Sequence, residues 1–224
     1  MGLSVAVMQP YFFPYTGYYR LFKESDIFVL YDSVQFPRRG YVHRNRFRNA
    51  KKKLDWLTLP LKKSPQGTLI RDLEFVDQAQ REFLTRTTKF PGLNKFLFGP
   101  SNNDLFTELK SSILNFDRSV TDYLYDTLVR TTELTGLNTC FEKASCINMK
   151  AGVSRSENII EIVKQVGGTH YVNLQGGKQL YQVTAFRDAG ISLEFLPAYE
   201  ESIDSVLQIL LESGTENLKR MILQ

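Results

Sequence analysis

The chain has 224 residues, a formal net charge of +4 and 42% hydrophobic residues. A chain of this length buries enough apolar surface to fold without a metal or a disulfide. No run approaches the roughly 20 apolar residues of a membrane-spanning helix, and the first residues lack the basic segment and cleavage pattern of a signal peptide. We therefore expect a cytoplasmic protein without membrane insertion.

The first part of the chain predicts a strand, a helix and a second strand. Apolar strands are expected over residues 3–8 and 27–31, with a helix near residues 18–23 between them. Residues 40–61 alternate in places between apolar and polar side chains, which is typical of an antiparallel pair. The tip of this pair, residues 49–53, is basic, and we expect it to be solvated.

The middle of the chain is mainly helical in its pattern. Residues 68–75 predict a short strand, and Asp77 is the expected N-cap of a helix that runs to about Lys89 and is stopped by the Pro91 turn. From residue 103 to 136 the apolar residues recur with helical spacing. Ser119 caps a helix within this stretch, and Gly136 closes it.

Strands and helices alternate again in the last third. This alternation indicates a parallel sheet with right-handed crossovers. We therefore expect an α/β fold with a mostly parallel, Rossmann-like sheet, flanking helices, a basic β-hairpin and a helical segment in the middle of the chain. The predicted strands cover residues 139–142, 170–173 and 191–196, and the predicted helices follow Ser154 or Ser156, begin near Lys178, and cover residues 203–211 and 216–223.

Polar and basic residues crowd into the stretch after the second strand. Residues 38–63 carry ten basic residues against the single acid Asp55, which favours binding of an anion such as a diphosphate. Open α/β sheets bind their ligands beyond the carboxyl ends of the strands, so we interpret this stretch as an anion-binding site. Its polar members are Asp32, Gln35, Arg38, Arg39, Gly40, His43, Arg44, Asn45 and Arg46.

A second candidate site follows the strand at 170–173. Asn173 ends the strand, Gly176 and Gly177 form a turn, and a helix starting near Lys178 would direct backbone N–H groups at an anion. The spacing is not that of a Walker loop. The alternative is a tight strand-to-helix turn that needs glycine for its backbone angles.

Single residues leave several possibilities open. Three interpretations of His43 are open: a general base, a residue that hydrogen-bonds the substrate, or a solvated histidine. Of the two aspartates that flank the second strand, Asp32 is a better site candidate than Asp26. No Ser-His-Asp order, HExxH or CxxC motif occurs, and we expect no metal or cofactor. Cys140 and Cys146 are expected to be reduced thiols that lie in the core or just below the protein surface.

Several motifs in this order resemble the WbqC-like protein family. They are an opening with Gln9, Pro10, Tyr11, Pro14 and Gly17; Asp32 and Gln35; Arg39, Gly40, Arg44 and Asn45; Thr58; Tyr171, Gly177 and Tyr181; and Ser202 with Asp204. The resemblance runs through nearly the whole chain, although His43 stands where the family often has asparagine. It implies one α/β domain over residues 1–224, in which residues 77–136 form a mainly helical subdomain or insertion.

The resemblance also implies a function in surface-polysaccharide (O-antigen) or natural-product biosynthesis. The reaction would transfer an acyl or aminoacyl group to the amine of a nucleotide-linked amino sugar or similar small molecule, and an acyl carrier protein is a candidate partner. The predicted catalytic residues are His43, Asp32 and Gln9. The predicted substrate-binding residues are Tyr11, Gln35, Arg38, Arg39, Arg44, Asn45, Thr58, Tyr171, Asn173, Gly176, Gly177 and Tyr181.

Two other classes of function remain open. The strand, aromatic turn and helix at the start are similar to nucleotidylyltransferases, but Tyr15 and Tyr18 occupy the positions of that family's histidines. The other alternative is a non-catalytic protein that binds a nucleotide sugar or RNA. A nucleic-acid partner is not expected, but basicity alone does not decide this point, because the basic excess is confined to one hairpin. An RNA binder should show a steep salt dependence, whereas a diphosphate ligand should show a shallow one.

Overall fold

A computed structural model describes residues 2–101, 103–147 and 154–223. It confirms the mixed α/β class: five parallel strands form one sheet in the order β5-β2-β1-β6-β7, and β3 and β4 form a separate antiparallel hairpin. Short apolar runs form the central strands because both of their faces are covered. The strands are β1 (Ser4–Met8), β2 (Ile27–Leu30), β3 (Arg44–Arg48), β4 (Leu54–Thr58), β5 (Cys140–Lys143), β6 (His170–Leu174) and β7 (Ser192–Leu196).

Helices cover both faces of the sheet. Side-chain caps begin three of the described helices. The Asn103 side chain accepts a hydrogen bond from Leu105 N, the Ser119 hydroxyl accepts one from Asp122 N, and Ser154 forms a capping box with Glu157. None of the described helices is long and apolar enough to cross a membrane. The helices are α1 (Thr16–Lys23), α2 (Ala79–Thr87), α3 (Pro91–Phe98), α4 (Asp104–Leu114), α5 (Val120–Thr135), α6 (Arg155–Gln165), α7 (Val183–Asp188) and α8 (Val206–Leu223).

The alternation of side chains along the strands creates two cores. In β1, Val5 and Val7 join a smaller cluster with residues of α6 and α7. Ala6, which points to the opposite face, belongs to a larger cluster that includes residues of α1, α5 and α8. The central strands therefore have no solvent-facing side, which agrees with their uninterrupted apolar sequences.

Two predicted features in the middle of the chain are wrong. Residues 68–75 form no strand: Leu69 and Phe75 make only isolated bridges, and Ile70–Asp72 is a 3₁₀ turn. Asp77 does not cap α2, because Gln78 holds the N-cap position while Asp77 lies 3.6 Å from Lys62 Nζ. As predicted, α2 ends before the Pro91 turn, and Pro91 then begins a further helix, α3, at a position where a missing N–H costs nothing.

Two predictions near the end of the chain also need correction. No helix begins at Lys178, since residues Gln175–Leu180 form a 3₁₀ helix after β6 and α7 starts only at Val183. The two predicted C-terminal helices are confirmed, because α8 consists of two helical segments that meet at Gly214, whose φ 75° and ψ 179° are not helical. The thiols of Cys140 and Cys146 are free but exposed rather than in the core.

Asp32 links the ends of β2 and β5 rather than facing solvent. Its side chain is fully buried, and its two carboxylate oxygens accept hydrogen bonds from Ser145 N (2.8 Å) and Ser145 Oγ (2.6 Å). A buried carboxylate persists only when it is hydrogen-bonded. The residue that was predicted as a catalytic candidate therefore holds together two neighbouring strand ends.

His43 is also part of the packing. It precedes β3, its ring lies 4.9 Å from that of Phe36 in an edge-to-face contact, and its Nδ1 is buried without a hydrogen-bond partner among the described residues. Burial, with a smaller effect of the Arg44 charge, lowers the pKa of His43 from 6.5 to about 4. The imidazole is therefore neutral in the folded protein at neutral pH.

Removal of the Ser145 hydroxyl should destabilise the fold. We expect Ser145→Ala to lower the free energy of unfolding by about 1 to 3 kcal/mol, because it leaves one buried oxygen of Asp32 without its partner. Chemical denaturation measures this change. Ser111→Ala, at an exposed position on α4, is the matched control and should change stability by less than about 0.5 kcal/mol. Equal stability of the two variants would contradict the role given to Asp32.

The burial of neutral His43 should make stability depend on pH. Because the folded pKa is about 4 and the ordinary value is 6.5, the unfolded chain binds the proton first as the pH falls. Stability is complete above pH 6.5 and declines toward pH 4, by about 1 to 3 kcal/mol after allowance for partial exposure. Denaturation at several pH values should show a smaller decline for His43→Gln. Identical profiles for both proteins would refute this account of His43.

Candidate functional site

The candidate site is a cleft at the carboxyl edge of the parallel sheet. The chain passes from β1 to β2 on one side, while β6 lies against β1 on the other side. The loops after β1 and β6 therefore turn away from each other and leave a crevice above these strand ends. Open α/β sheets bind ligands at this kind of switch point.

The larger part of the cleft, which we call the basic arm, has a volume of about 720 Å³. Arg38 and Arg155 are the only charged side chains among the described residues that line it. Two positive charges without a lining carboxylate favour an anionic ligand. The polar and aromatic lining residues include Gln9, Tyr11, Tyr31, Gln35, Phe36, Gln66 and Tyr181.

The second part, the tyrosine arm, has a volume of about 450 Å³. Met8, Tyr11, Leu180 and Tyr181 line both arms, so the two hollows form one continuous cleft. The lining residues that belong to the tyrosine arm alone are Pro14, Tyr15, Tyr18, Tyr41, Asn45, Asn173, Leu174, Gly176, Gly177 and Ile203.

Tyr11 lies on the wall that both arms of the cleft share. Its ring centroid lies 5.4 Å from that of Tyr18 and 5.9 Å from that of Tyr41. Burial, together with the neighbouring Tyr41, raises the pKa of Tyr11 above its ordinary value of 10.0. The Tyr11 hydroxyl therefore keeps its proton at neutral pH and is available as a hydrogen-bond donor.

Asn45 holds the turn that carries Tyr11. Its Nδ2 donates to the carbonyl oxygens of Phe12 (3.1 Å) and Phe13 (2.6 Å), and its Oδ1 accepts from Arg46 N. Phe13 has φ 48°, a left-handed conformation that side chains other than glycine rarely adopt. The Asn45 amide is thus fully used inside the protein, and it shapes the cleft wall rather than offering free donors to a ligand.

Asn173, on the opposite wall of the cleft, also uses its side-chain amide inside the protein. Its Nδ2 donates to the Tyr171 hydroxyl at 3.0 Å, and that hydroxyl donates to Tyr181 Oη at 3.3 Å. A Cβ on Gly177 would lie 2.6 Å from Asn173 Nδ2, so glycine is required there for close approach, whereas Gly176 has open space. Tyr171 is buried behind the wall and sets the position of Tyr181.

The structure brings together most of the residues that the sequence singled out, but not all. Asp32 is buried against Ser145, and the exposed Arg39 lines neither arm. His43 and Thr58 line a different hollow, of about 580 Å³, which meets the basic arm at Arg38. The predicted residues that do line the cleft are Gln9, Tyr11, Gln35, Arg38, Asn45, Asn173, Gly176, Gly177 and Tyr181.

Arg44 was predicted to bind substrate, and it lies outside both arms. Its guanidinium stacks 4.4 Å from the ring centroid of Trp56 on the outer side of the hairpin. Sequence reasoning in turn missed Arg155 and Gln66, which line the basic arm. In the sequence, Arg155 directly follows a capping serine, and Gln66 lies between a proline and a glycine in a turn. Neither position by itself indicates a ligand-binding residue.

Comparisons with known proteins indicate the family of this chain. The model of the WbqC-like protein family matches residues 9–203. An uncharacterized protein of Mycobacterium tuberculosis, Rv1507c, is 34% identical over 58 residues, which cover 26% of this chain and 25% of that protein. The match thus spans about a quarter of the relative's length, and no solved structure matches. Because the family model covers most of its 224 residues, the chain belongs to the WbqC-like protein family.

Proposed function

We propose that this protein is a transferase that attaches an acyl or aminoacyl group to the amine of a nucleotide-linked amino sugar, in surface-polysaccharide or natural-product biosynthesis. Membership of the family supports the class of pathway. The observation that carries the proposal is the cleft itself: its described lining has two arginines, no carboxylate and no histidine. Such a lining suits a ligand with a strongly anionic group.

The basic arm fits the nucleotide diphosphate. Arg38 and Arg155 line it together with glutamine side chains, and arginine binds phosphate oxygens with paired, directional N–H donors. Its volume of about 720 Å³ lies within the usual range of small-molecule sites. Tyr31 and Phe36 provide aromatic surface in the same arm for the nucleobase. The amino end of the sugar then points toward the wall that both arms share.

The tyrosine arm fits the acyl donor. Pro14, Leu174 and Ile203 give it an apolar lining next to the tyrosines. In the proposed reaction the amine nitrogen attacks the carbonyl carbon of an acyl thioester, an amide C–N bond forms and the C–S bond breaks. The proton lost from nitrogen passes through solvent, and the departing thiolate takes up a proton. The Tyr11 hydroxyl donates a hydrogen bond to the carbonyl oxygen as negative charge develops there.

This chemistry needs no protein base. A free amine is itself nucleophilic, and both predicted bases, Asp32 and His43, lie outside the cleft. Catalysis would then rest on the orientation of two bound substrates and on hydrogen bonds to the oxyanion. The same lack of a base in the described lining favours a second candidate, a non-catalytic nucleotide-sugar binder. Turnover of an acyl thioester with a nucleotide-linked amino sugar decides between the two.

The two arginines of the basic arm should control affinity for the nucleotide sugar. We expect Arg38→Ala and Arg155→Ala each to weaken binding by about 1.5 to 3 kcal/mol, the range for hydrogen bonds to charged groups. Calorimetric titration with a panel of nucleoside-diphosphate amino sugars measures the loss. Arg187→Ala, at an exposed position on α7, is the control and should bind normally. If Arg39→Ala lost more binding free energy than Arg38→Ala, the ligand would lie at the exposed Arg39 instead of in the basic arm.

Removal of the Tyr11 hydroxyl should slow turnover more than it weakens binding. We expect Tyr11→Phe to lower kcat by about 10²-fold with little change in KM, because the lost hydrogen bond forms mainly as the oxyanion develops. Thiol release from the acyl donor provides the assay. Tyr125→Phe removes a hydroxyl far from the cleft and should leave kcat unchanged. Equal kcat for Tyr11→Phe and the wild-type protein would exclude Tyr11 as the donor.

A further inference from the structure

The outer side of the β3–β4 hairpin carries an exposed cationic and aromatic surface. Side chains alternate along each strand. Phe47 of β3 and Leu57 of β4 point into the core, so their neighbours along each strand face outward. We call this surface the hairpin face. It consists of Tyr41, Arg44, Arg46, Leu54 and Trp56, and it continues into the exposed tip lysines Lys51, Lys52 and Lys53.

The positive charges of the hairpin face form no ion pair with the part of the chain that the structure describes. Within the described ranges, no ion pair joins Arg44, Arg46 or the tip lysines to a carboxylate. The guanidinium groups of Arg44 and Arg46 lie 4.4 and 5.8 Å from the centroid of the Trp56 ring. A tryptophan that is exposed and flanked by half-buried arginine side chains is typical of the energetic centre of a protein interface.

The hairpin face is held rigidly. Arg48, at the end of β3, lies 2.8 Å from Asp204 and 2.8 Å from Glu212, so it fastens the hairpin to the segment that leads into α8 and to α8 itself. At the tip, Asn49 Oδ1 accepts hydrogen bonds from the backbone N–H groups of Lys51 and Lys53 at 2.9 and 3.1 Å. A preformed surface loses little entropy when a partner binds.

The same surface continues into the cleft. Tyr41 lines the tyrosine arm, where its ring centroid lies 5.9 Å from that of Tyr11. On its other side it lies 5.7 Å from the centroid of Trp56. A partner on the hairpin face therefore sits beside the opening through which the proposed acyl donor enters.

Building on the proposed acyl transfer, we infer that the hairpin face docks an acidic, helical carrier protein that holds the acyl group as a thioester on a flexible arm. Arg44 and Arg46 are two residues apart on a strand, roughly 6.6 Å along its axis. Side chains four residues apart on a helix are about 5 to 6 Å apart at Cβ. Carboxylates on one face of an acidic helix therefore match the spacing of the two arginines.

The geometry favours a protein over a nucleic acid. Arg44 stacks on the Trp56 ring, and a nucleobase would have to displace it to use that aromatic face. Sequence-independent binding of single strands relies on such open stacking surfaces. Carboxylates, in contrast, bind the edges of guanidinium groups and leave the stacked arrangement intact.

The position of Trp56 makes a direct test possible, because it is the only tryptophan of the chain. The full-length protein is titrated with a tryptophan-free acyl carrier protein in its acylated form, and Trp56 emission reports docking. We expect a saturable change that weakens as salt is added. Arg46→Glu and Lys52→Glu should each raise the dissociation constant at least about tenfold. Arg187→Glu, an exposed charge reversal on α7, should have no effect.

Parallel titrations separate the inference from the proposed function. No change of Trp56 emission with the carrier protein, or an equal response in Arg46→Glu, overturns the docking inference. A response to oligouridylate but not to the carrier protein overturns it in favour of nucleic acid. Calorimetry with the nucleotide-linked amino sugar tests the cleft separately, and Arg46→Glu should bind that ligand normally. Failure of the wild-type protein to bind it would overturn the proposed function whatever the carrier protein does.

Discussion

The cleft depends on the hydrogen bonds between Asn45 and the turn after β1. Phe13 adopts φ 48°, which costs roughly 1 to 2 kcal/mol for a residue with a Cβ. Two bonds from Asn45 Nδ2 and the burial of the Phe12 and Phe13 rings offset this cost. The strained turn places Tyr11 between both arms of the cleft, so the shape of the site rests on one buried amide from the hairpin.

Local signals were sufficient to predict most of the fold. Runs of apolar residues identify the buried strands, and the caps Ser119 and Ser154 with the left-handed Gly136 mark helix ends. The errors fall where distant contacts decide the local structure. Asp77 is beside Lys62 instead of capping α2, and residues 68–75 meet their neighbours only through single bridges. A local sequence pattern cannot predict contacts between residues that are far apart in the chain.

The candidate site was less predictable because neighbours in sequence point in different directions. Asp32 turns inward to Ser145, Arg38 reaches the cleft, and Arg39 faces solvent. The polar side chains of this stretch therefore do not meet in one loop site. Its second arginine comes from the start of α6, and only the sheet topology brings Arg155 to the same edge. Composition predicts the charge of a ligand, whereas topology selects which residues line the cleft.

Strand β3 connects the cleft to the hairpin face. Asn45 points inward and holds the Tyr11 turn, while its neighbours Arg44 and Arg46 point outward to Trp56. Because alternate residues of a strand lie on opposite faces, one short segment carries both the support of the cleft wall and the cationic surface. The backbone of β3 therefore both presents the outer arginines and holds the turn that positions Tyr11. In the proposed reaction, one segment thus carries the surface that receives the acyl donor and the support of the group that would bind its carbonyl oxygen.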